Sequence, residues 1–306
     1  MINKKVSIAM ATYNGERFLR QQLESLHNQT IKPYEIVIVD DCSSDGTLDI
    51  LKEYQERDLV KLHINESNRG VNKTFEKSMR LCSGEYIMFC DQDDVWLPNK
   101  VEVTLKKMIE IEENQPAVVS SQCNDIDAAG NVIRLKIPQQ DTSSIEATII
   151  GQGKSQGCTL MLNRRLIDIL KPFPEKMPLY DVYVSLLAAA LGIKYNLGIP
   201  LMNYRHHDTN VIAKINNKKQ NIFNRILIKI RENKFIIPKQ RFDSLRLIRR
   251  EYGNSMKPQV LKLIDGLIEY EKTNILRQLK FIFSLRGLSY PYKIKNSIYQ
   301  IMGIFC

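Results

Sequence analysis

The feature that most limits what this chain can become is a unit repeated through its amino-terminal third. Each copy is a short apolar run, a stop at small polar or acidic residues, and an amphipathic stretch. Val6 to Ala11 stops at Thr12-Tyr13-Asn14-Gly15, and Phe18, Leu19, Gln22, Leu23 and Leu26 follow at helical spacing. Glu35 to Val39 stops at Asp40-Asp41-Cys42-Ser43-Ser44-Asp45-Gly46, ahead of Leu48, Ile50, Leu51 and Tyr54. Val60 to Ile64 predicts a third strand, Val71 to Leu81 a third helix, and Tyr86 to Cys90 a fourth strand running into Asp91-Gln92-Asp93-Asp94. Such alternation predicts an α/β fold, a mainly parallel sheet flanked by helices on both faces. Sheets of this kind hold ligands beyond the carboxyl ends of their strands, where these polar clusters fall.

Further along, the pattern predicts a helix over 101–113, strands over 117–122 and 131–135, a strand over 157–162, a helix over 180–191 and a short strand after Pro200. That last strand ends in Tyr204-Arg205-His206-His207. Residues 139–156, polar and rich in Gly and Ser, read as a mobile loop. Beyond Lys214 the apolar spacing is helical, through Val260, Leu261, Ile264, Leu267 and Ile268. The expected division is therefore 1–213, in halves of 1–100 and 101–213, followed by a helical region over 214–306.

Charge follows that division. Of 44 Lys and Arg and 34 Asp and Glu, residues 214–306 hold 20 and 6, leaving a mildly acidic front with 24 and 28. The six cysteines show no paired spacing, which fits free thiols in a reducing compartment and neither a zinc knuckle nor a disulfide framework. No run approaches the roughly 18 apolar residues of a membrane span, so the chain is expected to meet its substrates in the cytoplasm.

The sharpest chemical feature is Asp91-Gln92-Asp93 at the end of an apolar strand. Two carboxylates one residue apart can grip a divalent cation that already holds a diphosphate, and hard oxygen ligands suit Mg2+ or Mn2+. A solvated acidic turn capping the helix that opens near Pro98 fits the same residues. Asp41 likewise reads either as a ligand-facing carboxylate or as a turn residue bonded to nearby backbone.

Taken together, Ser7 to Asn14, Val39-Asp40-Asp41 to Thr47, Asn68-Arg69-Gly70, Ser83 to Ile87 and Phe89 to Trp96 resemble, in order and spacing, family 2 glycosyltransferases of the GT-A fold over roughly residues 4–213. The resemblance implies a GT-A type nucleotide-diphospho-sugar transferase with a C-terminal helical extension. It also implies that Ala11, Thr12, Tyr13, Asn14, Asp41, Arg69, Asp91 and Gln92 bind the nucleotide, Asp41 by accepting from the pyrimidine N3. Asp93 would be the principal ligand of Mn2+ or Mg2+, aided by Asp91 and by His207. Asp94 would support the loop, with Trp96 packed beneath it. Asp181, in the first turn of its helix, would be the catalytic general base, since an attacking hydroxyl must lose its proton. One base without a second marked carboxylate implies a single displacement that inverts the anomeric centre.

Other readings attach to the same residues. Asp181 could serve only to stabilise a helix start, His207 could be a surface-loop histidine with His206 as a weaker metal candidate, and Arg205 could meet the phosphates.

Cys90 to Trp96, Gly157 to Asn163, Leu186 to Gly192 and Tyr204 to His207 followed by Asn210 resemble the bacterial rhamnosyltransferase-like branch, which uses dTDP-activated sugars. The match departs at Tyr180-Asp181-Val182-Tyr183, where that branch has His-Asp, so a UDP-sugar stands beside dTDP-rhamnose as the expected donor. The expected acceptor is a cell-surface glycan or a lipid-linked oligosaccharide, extended by one sugar per encounter. The basic tail, interleaved with Phe223, Phe235, Phe242, Phe281 and Phe283, suits peripheral contact with an anionic membrane or, equally, a subdomain with solvated cationic faces. No nucleic-acid motif is present. A non-catalytic sugar-nucleotide-binding protein of the same fold is the rival expectation.

Overall fold

The computed structural model describes residues 4–138, 144–150, 156–208 and 239–270. Strands β1 (Val6–Thr12), β2 (Glu35–Asp40), β3 (Lys61–Ile64) and β4 (Tyr86–Cys90) alternate with helices α1 (Glu16–His27), α2 (Thr47–Glu56) and α3 (Val71–Leu81). β1 pairs in parallel with both β2 and β4, and β2 with β3. β2 and β4 are buried along their whole length, which explains why their apolar runs do not alternate with polar residues. The two faces still separate with a period of two. Ile8, Met10, Ile36 and Ile38 pack with Leu19, Leu23 and Leu105 on one side, and Ala9, Val37, Ile87 and Phe89 with Phe75 and Met79 on the other.

Beyond β4 come β5 (Val95–Trp96), α4 (Lys100–Ile111), β6 (Ala117–Ile126), β7 (Val132–Arg134), α5 (Ile145–Ile150), a 3-10 turn (Gly157–Thr159), β8 (Leu160–Asn163), α6 (Arg164–Ile169), α7 (Tyr180–Leu191) and β9 (Ile193–Arg205). The sheet order is β3-β2-β1-β4-β8-β6-β9-β5, with β7 off that path and paired with the end of β6 at Asp125 and Ile126. β8 enters antiparallel between β4 and β6, so the parallel amino-terminal half is joined to a mixed second half. Among the described residues of the basic tail, α8 (Lys239–Tyr252) and α9 (Pro258–Tyr270) are helices. Phe242, Leu245, Ile248 and Leu267 share a core with Tyr183, Val184 and Leu187 of α7.

Three expectations are corrected, the first being that the strand read over 157–162 opens as the 3-10 turn Gly157–Thr159 and runs over Leu160–Asn163. The strand ascribed to the residues after Pro200 begins at Ile193 and runs through the proline. Pro200 lies opposite Gln122 between two register shifts, where an irregular ladder tolerates a missing N–H. Within the stretch read as a loop, residues 145–150 form α5, whose Ala147, Thr148 and Ile149 are buried. The remainder of that stretch, apart from Ser144 and Gln156, lies outside the described residues, as do Asn210, most of the tail aromatics and Cys306.

Candidate active site

The chain leaves β1 for β2 and β3 on one side and returns to β4 on the other. That reversal opens a crevice at the carboxyl ends of β1, β2 and β4. Its rim is tied by hydrogen bonds. Thr12 Oγ1 donates to Asp40 Oδ2 at 2.8 Å, as does Ser43 Oγ at 2.6 Å. Tyr13 N–H donates to Gln92 Oε1 at 2.8 Å while Gln92 Nε2 donates to the Tyr13 carbonyl at 3.0 Å, so the Gln92 amide latches the β1 loop to the β4 loop. Asn14, at a φ of 47°, accepts from Ser44 N–H through Oδ1 at 2.8 Å. A side chain at Gly15 would meet Gln92 Oε1 at 2.3 Å, which is why the latch needs glycine beside it. Ala11 is half-buried and the Tyr13 ring is half exposed beside this rim.

Asp41 is buried, and its oxygens accept from Asn65 Nδ2 at 2.8 Å, Arg69 N–H at 2.8 Å and Gly70 N–H at 2.9 Å. A carboxylate offers about four acceptor positions, so most are engaged in ordering the Asn68-Arg69-Gly70 turn. Gly70 adopts a φ of 79°, a conformation that disfavours any other residue. The turn sets the Arg69 side chain on the edge of a groove of about 400 Å³, lined also by Ile64, Asn65, Lys73 and Lys77.

Where β4 ends, Asp93 Oδ2 lies 2.7 Å from His207 Nε2, joining two residues far apart in sequence. His207 packs on the Phe18 ring at 4.8 Å between centroids and is nearly buried. Asp94 is fully buried. Its Oδ1 accepts from Arg205 N–H at 3.2 Å, but no donor of good geometry reaches Oδ2, although the Cys158 thiol lies beside it. Burial, with the Asp93 charge second and Asp181 also contributing, pushes the Asp91 carboxyl up to about 7. Burial also raises the Asp94 carboxyl well above the usual carboxylate range, with help from the Asp93 and Asp91 charges. Crowded carboxylates that resist ionising together, with one buried oxygen unsatisfied, are what a bound cation relieves. Among the described residues the potential ligand atoms that gather within 4.8 Å of one another belong to Asp91, Asp94 and Cys158, with the Asp93–His207 pair outside that group; the carboxylate oxygens suit Mg2+ or Mn2+, the thiol a softer ion.

Asp181 sits in the first turn of α7, facing this corner. Its Oδ1 accepts from Val182 N–H at 2.7 Å and its Oδ2 from Gly157 N–H at 3.1 Å. Burial raises its pKa above the ordinary 3.8 despite those bonds. A side chain at Gly157 would meet Tyr180 Oη, so glycine is what lets the 3-10 turn close on α7.

Two neighbours behave differently from their sequence readings. Arg205 does not reach toward a ligand. It is 1 % exposed, and its guanidinium donates to the Asp93 carbonyl at 2.8 Å, the Ala128 carbonyl at 3.2 Å and Gln21 Oε1 at 2.6 Å. It therefore clamps the acidic loop from beneath. His206 is half exposed and pairs with Asp125 Oδ1 at 3.0 Å, away from Asp93. Asp94 and Trp96 are both buried, and Asp94 gathers with Asp91 and Cys158. Sequence reasoning missed Arg205 as a clamp because only the fold brings residues 21, 93 and 128 to one guanidinium.

A sequence model described as "Glycosyl transferase family 2" matches residues 7–165. The chain is 29% identical over 202 residues to UDP-Glc:alpha-D-GlcNAc-diphosphoundecaprenol beta-1,3-glucosyltransferase WfgD of Escherichia coli, covering 65% of this chain and 76% of that one. It spans 16%, 64% and 64% of the length of three further curated relatives. Among solved structures, S. aureus TarS 1-349 in complex with UDP-GlcNAc superposes with a TM-score of 0.62 at 17% identity, over 98% of this chain and 90% of that one. The mannosyltransferase PcManGT from Pyrobaculum calidifontis, in complex with GDP-Man and Mn2+, superposes at 0.51 and 18% identity over 98% of this chain and 86% of that one.

Proposed function

This chain belongs to glycosyl transferase family 2, and from that premise we propose that it is a divalent-metal-dependent, inverting transferase. It adds one sugar from a nucleotide-diphospho-sugar to a glycan or lipid-linked acceptor. The observation that carries the reading is the crowding of carboxylates at the end of β4, where the charges of Asp93 and Asp181 both act on Asp91 and Asp93 Oδ2 lies 2.7 Å from His207 Nε2. Support for a lipid-linked acceptor and a UDP-sugar donor comes from the WfgD likeness. dTDP-rhamnose is kept as a donor by the segments that resemble the rhamnosyltransferase-like branch.

The residues divide the work. The rim formed by Ala11, Thr12, Tyr13 and Asn14, latched by Gln92, holds the base and ribose. Asp41 orders the turn that sets Arg69 on the groove lined by Ile64, Asn65, Lys73 and Lys77, and its remaining acceptor position would take the pyrimidine N3–H. Asp91, Asp93 and His207 would hold Mn2+ or Mg2+, which when bound neutralises charge building on the departing diphosphate. Asp181 accepts the proton of the acceptor hydroxyl as its oxygen bonds to the anomeric carbon. The bond from that carbon to the diphosphate breaks with its electron pair, and the sugar inverts. A raised pKa makes Asp181 a stronger base once ionised than an exposed aspartate.

Among the described residues no helix is long and apolar enough to cross a membrane. The proposed place of action is the cytoplasm, with peripheral contact to an anionic inner leaflet through the 20 basic residues of 214–306.

A donor screen tests the reading. UDP-, dTDP- and GDP-sugars are offered with Mn2+ and a lipid-linked acceptor, and released nucleoside diphosphate is scored. Release from one donor class, abolished by chelator, is expected. Absence of binding and release with all of them would sink the proposal.

A further inference from the structure

Lys100, the first residue of α4, is completely buried. An ammonium out of water is costly unless its donors are used or a charge offsets it; among the described residues no carboxylate hydrogen-bonds the amine, although the charges of Asp94 and Asp91 act across the short distance between them. Its amine donates to the Cys158 carbonyl at 2.5 Å, lies 3.2 Å from Met202 Sδ and sits 3.6 Å over the centre of the Trp96 ring. A methionine would fill this space without the cost of burying a charge. The amine offsets the nearby acidic charge, and its one hydrogen bond to an oxygen among the described residues goes to the Cys158 carbonyl, so what that carbonyl belongs to is what the lysine holds in place.

Cys158 is the centre of the 3-10 turn whose first residue, Gly157, gives its N–H to Asp181 Oδ2. Lys100 thus grips one side of a three-residue turn and Asp181 leans on the other. The amine's other contacts lie on β5 and β9, where Trp96 stands opposite Met202, and β9 continues to Arg205, the clamp on the Asp93 carbonyl. One buried cation joins the segment that carries the acidic corner to the turn that seats the carboxylate facing it.

We infer that Lys100 is a positioning residue for the proposed base. Through the Cys158 carbonyl it fixes the turn whose Gly157 amide holds Asp181 at its distance from Asp91 and Asp93. The inference rests on the transferase reading for the role of Asp181, whereas the mechanical link from Lys100 to the turn stands on the geometry alone.

The test compares the full chain with Lys100→Met and Lys100→Gln. Misplacing a reacting group by an ångström can cost about 100-fold, so Lys100→Met is expected to lower kcat between about 10- and 100-fold. Donor KM, and nucleoside diphosphate affinity with Mn2+, should stay within about 3-fold, because the donor rim does not touch the turn. Lys100→Gln keeps a shorter donor and should fall between the other two in kcat. Hydrogen exchange at residues 157–159 should rise by about 10-fold in Lys100→Met while residues 11–14 stay unchanged, a local opening.

Wild-type kcat and unchanged exchange in Lys100→Met would overturn the inference. So would donor affinity falling in parallel with kcat, which would mean that Lys100 acts on the acidic corner directly. Should Lys100→Met fail to fold, Lys100→Gln decides, and wild-type values in both kcat and exchange would refute the link. The exchange readout needs no turnover. A wild-type chain inactive with every donor would therefore sink the transferase reading while the link from Lys100 to the turn is still measured.

Discussion

Glu35 offers a prediction whose size follows from the structure. It stands at the start of β2, at the end of the sheet opposite the crevice, with its side chain almost wholly covered. Oε1 accepts from Ser7 Oγ at 2.7 Å, Ser83 N–H at 2.6 Å and Ser83 Oγ at 2.8 Å, and Oε2 from Lys61 Nζ at 2.6 Å. One carboxylate thus ties β1, β2, β3 and the approach to β4. Burial opposes ionisation, but the bonds from Lys61, Ser7 and Ser83 outweigh it and hold the group at about 2 against an ordinary 4.5.

Each unit of that difference is worth about 1.4 kcal/mol, so ionised Glu35 contributes roughly 3 kcal/mol at pH 7. The folded carboxyl is the stronger acid, so the contribution is complete above pH 4.5 and is lost as pH falls through about 2. Glu35→Gln should cost roughly 3 kcal/mol at pH 7 and about half of that at pH 3, by urea unfolding. The thermal midpoint at pH 7 should fall by about 5 to 10 °C. Activity per folded molecule should not change. A penalty that is the same at both pH values, or one below about 1 kcal/mol at pH 7, would refute the reasoning.

Asp93→Ala should abolish turnover and the enhancement of nucleotide binding by Mn2+, read by calorimetry with and without the ion. Asp181→Asn should lower kcat by about 100- to 10,000-fold and leave nucleotide affinity nearly intact; full activity would remove Asp181 from its role. Arg205→Met leaves the Asp93 carbonyl and Gln21 Oε1 without their donor and should destabilise the fold by about 1–3 kcal/mol, measured by urea unfolding. Flotation of the full chain with anionic liposomes should show association that salt weakens, and no binding at low salt would leave 214–306 as a helical subdomain alone.

Much of the parallel half was legible because its strands are buried on both faces and end at turn residues. β4 at Tyr86–Cys90, α3 at Val71–Leu81 and α7 at Tyr180–Leu191 match their sequence readings. The start of β9 is not legible because proline ordinarily ends a strand, and only pairing with β6 reveals the irregular ladder that admits Pro200. α5 was hidden by polar flanks, since its buried face is created by α7 and not by its own periodicity. In the site, the acidic cluster could be read locally. The 2.7 Å approach of His207 to Asp93 joins positions 114 apart, and spacing alone cannot place them together. That Gln92 latches the β1 loop and Arg205 braces the acidic loop is not legible in sequence, because an amide or a guanidinium beside a crevice looks the same whether it points outward or holds a loop. Lys100 gave no signal, because a lysine opening a helix is ordinarily solvated.

The most direct measurement is anomalous scattering at the manganese edge from crystals soaked with Mn2+ and a sugar nucleotide. A peak held between Asp93, His207 and the diphosphate oxygens, with Asp91 against its shell, is the predicted result. Nucleotide bound while those carboxylates hold nothing, or turn toward bulk solvent, would contradict the proposal that charge on the leaving diphosphate is neutralised there.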